Sequence, residues 1–244
     1  MMNTVLLIGA TSDVAKAAAR RYAKVGTNLI LTSRRIVELE NFAADLQIRY
    51  DVKVKLLSLD LSEFDSHEQF MKDLGSVPAT SVVFAGYLGD QIEAQNHWGE
   101  CQNIINSNYT GVISICNQLA NQLEEKGSGV LAVFSSVAGD RGRKSNYLYG
   151  SAKAGLTAYL SGLRNRFGKT GIHVMTVKPG FMDTKMTADL DLPALLTASP
   201  DYVAETIIKA IKKKKNTVYV KWVWRYVMLI IRNIPEPIFK KLNL

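Results

Sequence analysis

Residues 3–26 read NTVLLIGATSDVAKAAARRYAKVG, and this stretch decides the fold. Asn3 to Ile8 is an apolar run after a polar start, the pattern of a strand buried on both faces. A turn of mostly small residues follows, Gly9-Ala10-Thr11-Ser12-Asp13-Val14-Ala15, and then a helical run that Gly26 stops. In that order, strand, tight turn and helix aim backbone N–H groups and a helix N-terminus at one point, where they can hold a pyrophosphate. Gly9, Thr11, Ser12, Asp13 and Val14 are therefore candidate nucleotide-binding residues.

The same alternation continues down the chain. Strands are expected at 28–32 (NLILT), 52–61 (VKVKLLSLDL), from Ser81 until the chain opens into a loop at Ala85-Gly86 (within SVVFAGYLG), 129–136 (GVLAVFSS), 171–180 (GIHVMTVKPG) and 217–220 (TVYV). Helices are expected at 37–50, around 66–74, from about Glu100 to Lys126, from Tyr149 onward, and from Pro200 to Lys215. Alternating strands and helices imply an α/β fold, a single Rossmann-type doubly wound parallel sheet flanked by helices over residues 1–220. A chain of 244 residues accommodates one such domain and gives no sign of a second.

Composition narrows the function classes. The 47% hydrophobic and 21% charged fractions are those of a globular protein, which sets aside disordered and fibrous classes. Cys101 and Cys116 fall in one helical segment, so neither a disulfide framework nor a metal site is expected, and the chain reads as reduced and cytoplasmic. His67, His97 and His173 are scattered without ligand spacing, so no metal is expected. The N-terminus enters a strand at once, which argues against a signal peptide. A net charge of +8 points to nucleic acid, an anionic membrane surface or an anionic ligand, and the positions of the charges must choose among them.

Chemistry-bearing residues fall at strand ends, where open α/β sheets bind ligands. After the second strand come Ser33, Arg34 and Arg35, with no acid to accept a ribose 2′-hydroxyl. Arg there accommodates a 2′-phosphate, which favours NADP (NADPH) over NAD; the alternative is two arginines that begin a solvated helix. Asp60 and Leu61 end the third strand beside the expected adenine, and Ala85-Gly86 after the fourth allow close approach of a cofactor. Asn108 lies inside an apolar helix and needs hydrogen-bond partners. Ser136 ends the fifth strand, and Tyr149 and Lys153 stand four residues apart on one helix face. A cation beside a phenol lowers its pKa, so Tyr149 can exchange a proton with an alcohol oxygen near neutrality. A surface Tyr–Lys pair is the bland alternative.

Taken together, the glycine-bearing first turn, Asn108, Ser136, the YGSAK pentapeptide (149–153) and Pro179-Gly180 with Thr184 resemble the short-chain dehydrogenase/reductases over residues 3–220. The resemblance implies an NAD(P)H-dependent reductase of a carbonyl, or oxidant of a secondary alcohol. Tyr149 would then be the general acid, Lys153 would hold the nicotinamide ribose and lower the Tyr149 pKa, Ser136 would bind the substrate oxygen, and Asn108 would keep a relay water. The segment Pro179, Gly180, Met182 and Thr184 would hold the carboxamide, and helices 100–126 and 149–169 would stack into a homo-oligomer. Two departures stand out: Asp13 and Ala15 replace glycines of the family's first turn, and Val83-Phe84-Ala85-Gly86 stands for its NNAG. Asp13 is electrostatically awkward near a pyrophosphate unless it caps the helix and points away. The GATSDVA turn, the FAGYLG loop and the C-terminal tail resemble the branch holding the keto-reductase partner of the decaprenylphosphoryl-ribose epimerase pair, which implies a bulky lipid-linked substrate. Residues 185–200 are expected as a loop or short helix shaping the substrate pocket.

The tail, residues 221–244, is an addition the fold does not need. On a helix Lys221, Arg225 and Arg232 fall on one side and apolar residues cover most of the rest, a run too short and too charged to span a bilayer. It reads as an interfacial helix peripheral to the inner membrane face, or as a face against another subunit; nucleic acid fits less well. Rival readings of the whole chain are a non-catalytic dinucleotide-binding sensor or scaffold, and a structural membrane-bound module.

Overall fold

The computed structural model describes residues 4–184 and 193–243. Part of the expected pocket-shaping loop, residues 185–192, lies outside the described residues, as does Asn3 at the start of the first strand. Seven parallel strands form one sheet: β1 (Thr4–Ile8), β2 (Asn28–Ser33), β3 (Val54–Ser58), β4 (Thr80–Val83), β5 (Ser128–Phe134), β6 (Gly171–Pro179) and β7 (Thr217–Val220). Their order is β3-β2-β1-β4-β5-β6-β7, so the winding reverses beside β1 and opens a crevice at the carboxyl ends of β1 and β4.

Alternation along each strand sorts the core into two layers. Val5 and Leu7 of β1 face a cluster that includes Val14 of α1 (Asp13–Ala23), Leu39 and Leu46 of α2 (Val37–Tyr50), and Ile207 of α8 (Pro200–Lys212). Leu6 and Ile8 face the opposite cluster, with Phe70 of α3 (Ser66–Leu74), Ile115 of α6 (Gly111–Lys126) and Leu156 of α7 (Tyr147–Arg166). Strands buried on both faces explain why the sequence shows apolar runs instead of alternation.

The structure departs from the sequence reading in three places. The fourth strand ends at Val83 and opens into the loop expected at Ala85-Gly86, but that loop leads into a short helix, α4 (Gln91–Asn96), that the sequence reading did not contain. The long helix expected over 100–126 is α5 (Trp98–Ile105) and α6 joined by a π-helical turn, Asn106–Thr110. Such turns mark places where a helix is bent to present a particular side chain, and this one carries Asn108.

The third departure is the tail. α9 (Val223–Asn233) buries Trp224 and Met228 against Val137, Phe181 and Tyr219 at the carboxyl edge of the sheet. Trp224 lies over Gly180, where an added Cβ would stand 2.0 Å from its ring, and its indole donates to the Leu196 carbonyl at 3.1 Å. Arg141 donates to the carbonyls of Ile231 and Ile234 at 2.7 and 2.6 Å, pairs with Glu236 and lies over the Phe239 ring of α10 (Glu236–Phe239). The tail is thus packed onto the domain, because one apolar side of α9, carrying Trp224 and Met228, finds a partner there. Among the described residues no helix is long and apolar enough to cross a membrane.

Gly111 opens α6 directly against the Leu61 carbonyl, which an added Cβ would meet at 1.8 Å. Gly111→Ala is expected to destabilise the protein by about 1–3 kcal/mol through overpacking. Gly99→Ala, in a helix with open space around it, is expected to be neutral or stabilising. Thermal denaturation of the two variants checks the contrast.

Candidate active site

A cavity of about 590 Å³ opens at the switch point. Its wall carries Gly9, Thr11, Ser12, Asp13 and Val14 from the first turn, Ser33 and Arg34 after β2, Asp60 and Leu61 after β3, Ala85 and Gly86 after β4, and Met182 and Thr184 beyond β6. Each group enters from a different strand end, so the parallel topology alone brings them together. Ser62, Tyr87, Asn103, Ser107 and Phe134 also line the wall; nothing in their local sequence marked them.

Gly9 has φ +80°, a left-handed conformation that favours glycine, where the first turn runs alongside the start of the loop after β4. Ser12, not Asp13, is the N-cap: its hydroxyl accepts from the Ala15 N–H at 3.2 Å. Asp13 occupies the first helical position, where the helix dipole favours an acid, and it lines the cavity. The capping role considered for Asp13 therefore belongs to Ser12. Asp60 turns a carboxylate oxygen to the Ser62 N–H and hydroxyl at 2.9 and 2.6 Å, which fixes the loop after β3. Arg35 is spent on Glu38 at 2.6 Å, whereas Arg34 is exposed and has no ion pair among the described residues.

The second group of residues adjoins this cavity without appearing on its wall: Ser136, Tyr149, Lys153, Asn108, Pro179 and Gly180. Ser136 follows β5 and caps a short 3₁₀ turn, Val137–Asp140, its hydroxyl accepting from Ala138 N–H at 3.1 Å. That turn packs on α7 through Gly139, where a Cβ would stand 2.7 Å from the Lys153 carbonyl carbon. Ser135 donates to the Lys153 carbonyl at 2.9 Å, so the end of β5 and the Tyr149–Lys153 turn of α7 are held together. Pro179 closes β6 in register with Val220, and Gly180 lies beneath Trp224.

Lys153 is 1% exposed, and its ammonium donates to the Ala85 and Phe134 carbonyls at 3.2 and 3.0 Å. Burial pulls its pKa from 10.5 to about 7. Tyr149 has its pKa raised above that of an ordinary phenol by burial, and the neighbouring Ser136 hydroxyl offsets part of the rise. This corrects the expectation that Lys153 lowers the Tyr149 pKa. The ammonium lies 5.8 Å from the Tyr149 ring centre, is turned to two strand-end carbonyls and is only partly charged near neutrality.

Asn108 is fully buried. Its amide donates to the Tyr87 and Ile104 carbonyls at 2.6 and 2.8 Å, and its oxygen accepts from Tyr87 N–H at 3.1 Å. With both donors committed, the side chain fixes the Tyr87 loop and the π turn; its side-chain donors are not available to the relay water expected of it.

Tyr149 and Lys153 thus stand side by side next to the crevice at the switch point, where open α/β sheets bind ligands. A family model described as short chain dehydrogenase matches residues 3–193, and the chain belongs to that family. It is 32% identical over 242 residues to an uncharacterized oxidoreductase of Mycobacterium tuberculosis strain H37Rv, covering 98% of this chain and 96% of the relative. It is 27% identical over 230 residues to the NADP-dependent 3-hydroxy acid dehydrogenase of Schizosaccharomyces pombe, covering 88% and 89%. A short-chain dehydrogenase of Sphingobium yanoikuyae in complex with NADPH has the same fold, with a TM-score of 0.82 at 21% identity over 96% of this chain and 97% of that one.

The Lys153 pKa yields a stability prediction. The folded value lies below the unfolded one, so between about 7 and 10.5 the unfolded chain holds more protons and stability rises with pH. Below that window the full penalty of burying the ammonium is present. Lys153→Met is expected to raise the melting temperature of the cofactor-free protein at pH 6 by about 4 °C or more, each kcal/mol being worth roughly 2–4 °C at this size. The gain should shrink by pH 9, and calorimetry at the two pH values checks the sign.

Proposed function

We propose that the protein is an NADP(H)-dependent carbonyl reductase acting on a hydrophobic or lipid-linked ketone. The observation that carries the reading is the packing of the turn after Ser136 onto the Tyr149–Lys153 turn of α7, through Gly139 and the Ser135 hydroxyl, beside a crevice on whose rim Arg34 stands where an acid would serve NAD. The residues fit the dinucleotide: a glycine turn at close approach, a capped helix N-terminus, an exposed guanidinium and a buried ammonium. Bound in the crevice, the dinucleotide supplies the hydride chemistry of the reduction. Arg34 would meet the 2′-phosphate, which agrees with the cofactor in the name of the S. pombe relative. Lys153 would hold the nicotinamide ribose, and Met182 and Thr184 the carboxamide end.

Tyr149 donates its proton to the carbonyl oxygen of the substrate, and Ser136 orients that oxygen by a second hydrogen bond. A raised phenol pKa keeps the proton on Tyr149 at neutral pH, which suits a general acid and therefore the reducing direction. Asn108 acts at one remove, by fixing the loop that carries Ala85 and Gly86. An apolar substrate would find Ile92 and Tyr147, 70% and 42% exposed, near the N-terminus of α7, the helix that carries Tyr149.

Tyr149→Phe is expected to lower kcat by about 10²–10⁴-fold with NADPH binding retained; turnover unchanged in that variant would sink the catalytic reading. Arg34→Asp is expected to weaken NADPH binding by at least about tenfold and to spare NADH, since it removes a 2′-phosphate partner and offers an acceptor to the 2′-hydroxyl. Fluorescence titration with both nucleotides measures the switch, and a natural chain that prefers NADH would overturn the cofactor assignment.

A further inference from the structure

We propose that the outer face of α9 and α10 is a docking surface for an anionic lipid bilayer, with Arg225 and Arg232 taking a lipid phosphate. The proposal concerns a surface outside the active site and does not rest on the reaction assigned above.

α9 has two apolar faces and the domain covers only one. Trp224 and Met228 point inward and are 3% and 0% exposed. At 100° per residue, Trp222, Tyr226, Leu229 and Ile230 fall on the opposite side, and they are 73%, 56%, 57% and 67% exposed. Single exposed apolar residues need no explanation, but four large ones on one turn-to-turn face mark an interaction surface. Trp222 and Tyr226 pack edge to face with centres 5.8 Å apart, as a preformed aromatic pair. The hydroxyl and indole edges of such residues suit the headgroup level of a bilayer.

The charges on this segment select the partner. Arg225 and Arg232 are seven residues apart, two helical turns, and so border the apolar face on the same side. Both are exposed and neither has a salt bridge among the described residues. With Tyr219, Tyr226 and Leu229 they line a notch of about 300 Å³, open to solvent at the edge of the apolar face. Lys221, Lys240 and Lys241 add to the positive field, whereas Glu236, the one acid from 221 to 243, is already paired with Arg141.

A second copy of the chain meeting this face about a two-fold axis would set like charges against each other. An acidic protein surface would satisfy the arginines but leave the aromatic and aliphatic side chains without a matching apolar layer. A bilayer with anionic headgroups supplies both, phosphate at the level of the arginines and acyl chain beneath them. The helix has 11 residues and cannot span, so it would lie in the plane of the surface. Because its inner face holds Val137 and Phe181, docking would place the Ser136 end of the sheet one helix thickness from the lipid.

The test is co-sedimentation of the full chain with vesicles of phosphatidylcholine alone and of phosphatidylcholine mixed with phosphatidylglycerol. The expected result is binding to the mixed vesicles that weakens with added salt, and little binding to neutral ones. Arg225→Glu with Arg232→Glu should reduce that binding by about 20-fold or more, and Trp222→Ser with Ile230→Ser by about tenfold or more. All four side chains face solvent, so unchanged circular dichroism and melting temperature would show that the variants fold. Equal binding to both vesicle types, no binding to either, or variants that bind as well as the natural chain would overturn the proposal. A dimer that dissociates on the same substitutions would overturn it in favour of a second copy.

Discussion

Burying one ammonium is the constraint around which the site is built. An isolated buried charge costs several kcal/mol after relaxation, and Lys153 meets that cost with two carbonyls at the ends of β4 and β5. Those carbonyls are free to accept only because both strands stop there and their chains turn out of the sheet. The lysine is within reach of them only because α7 lies flush on the 3₁₀ turn through Gly139. The positions of α7, of the loop after β4 and of the turn after Ser136 therefore follow from one another. Tyr149 is placed by the same contact, one turn of helix away.

A second buried network ties this centre to the tail. Asp140, in the 3₁₀ turn, pairs with Lys178 of β6 and accepts from the Tyr219 hydroxyl of β7 at 2.7 Å, with the Asp140 side chain 2% and the Lys178 side chain 8% exposed. The neighbouring Arg141 collects the last carbonyls of α9. One short segment thus presents Ser136 to the site, an acid to the sheet and a guanidinium to the C-terminus. Removing one member of such a network leaves a buried charge without its partner, which is more damaging than exchanging the whole network for apolar residues.

Much of the site was readable because its residues lie at the ends of apolar runs. Gly9, Arg34, Asp60, Ala85 and Ser136 each follow a run long enough to be a buried strand, and a parallel sheet brings its carboxyl ends to one edge whatever the intervening helices contain. Asn108 was legible as a residue that must be bonded, but its partners were not, since Tyr87 lies 21 residues away in a loop. Asp140 and Lys178 are 38 residues apart, and neither carries a local pattern that points to the other. The Tyr149–Lys153 spacing was visible, yet the direction of the phenol pKa was not. Spacing on a helix says that two groups share a face, whereas the shift depends on how much water the fold leaves around each.

By itself the sequence determined the order of strands and helices, the parallel sheet and the set of residues delivered to its carboxyl edge, because hydrophobic periodicity and turn chemistry are local properties of the chain. Only the tertiary structure decided that Ser12 and not Asp13 caps the first helix, that the π turn aims Asn108 at Tyr87, and that the tail buries Trp224 and Met228 against the domain. Each of those depends on which surfaces meet across the fold, and burial between distant segments sets both the hydrogen-bond partners and the charge states that no local pattern records.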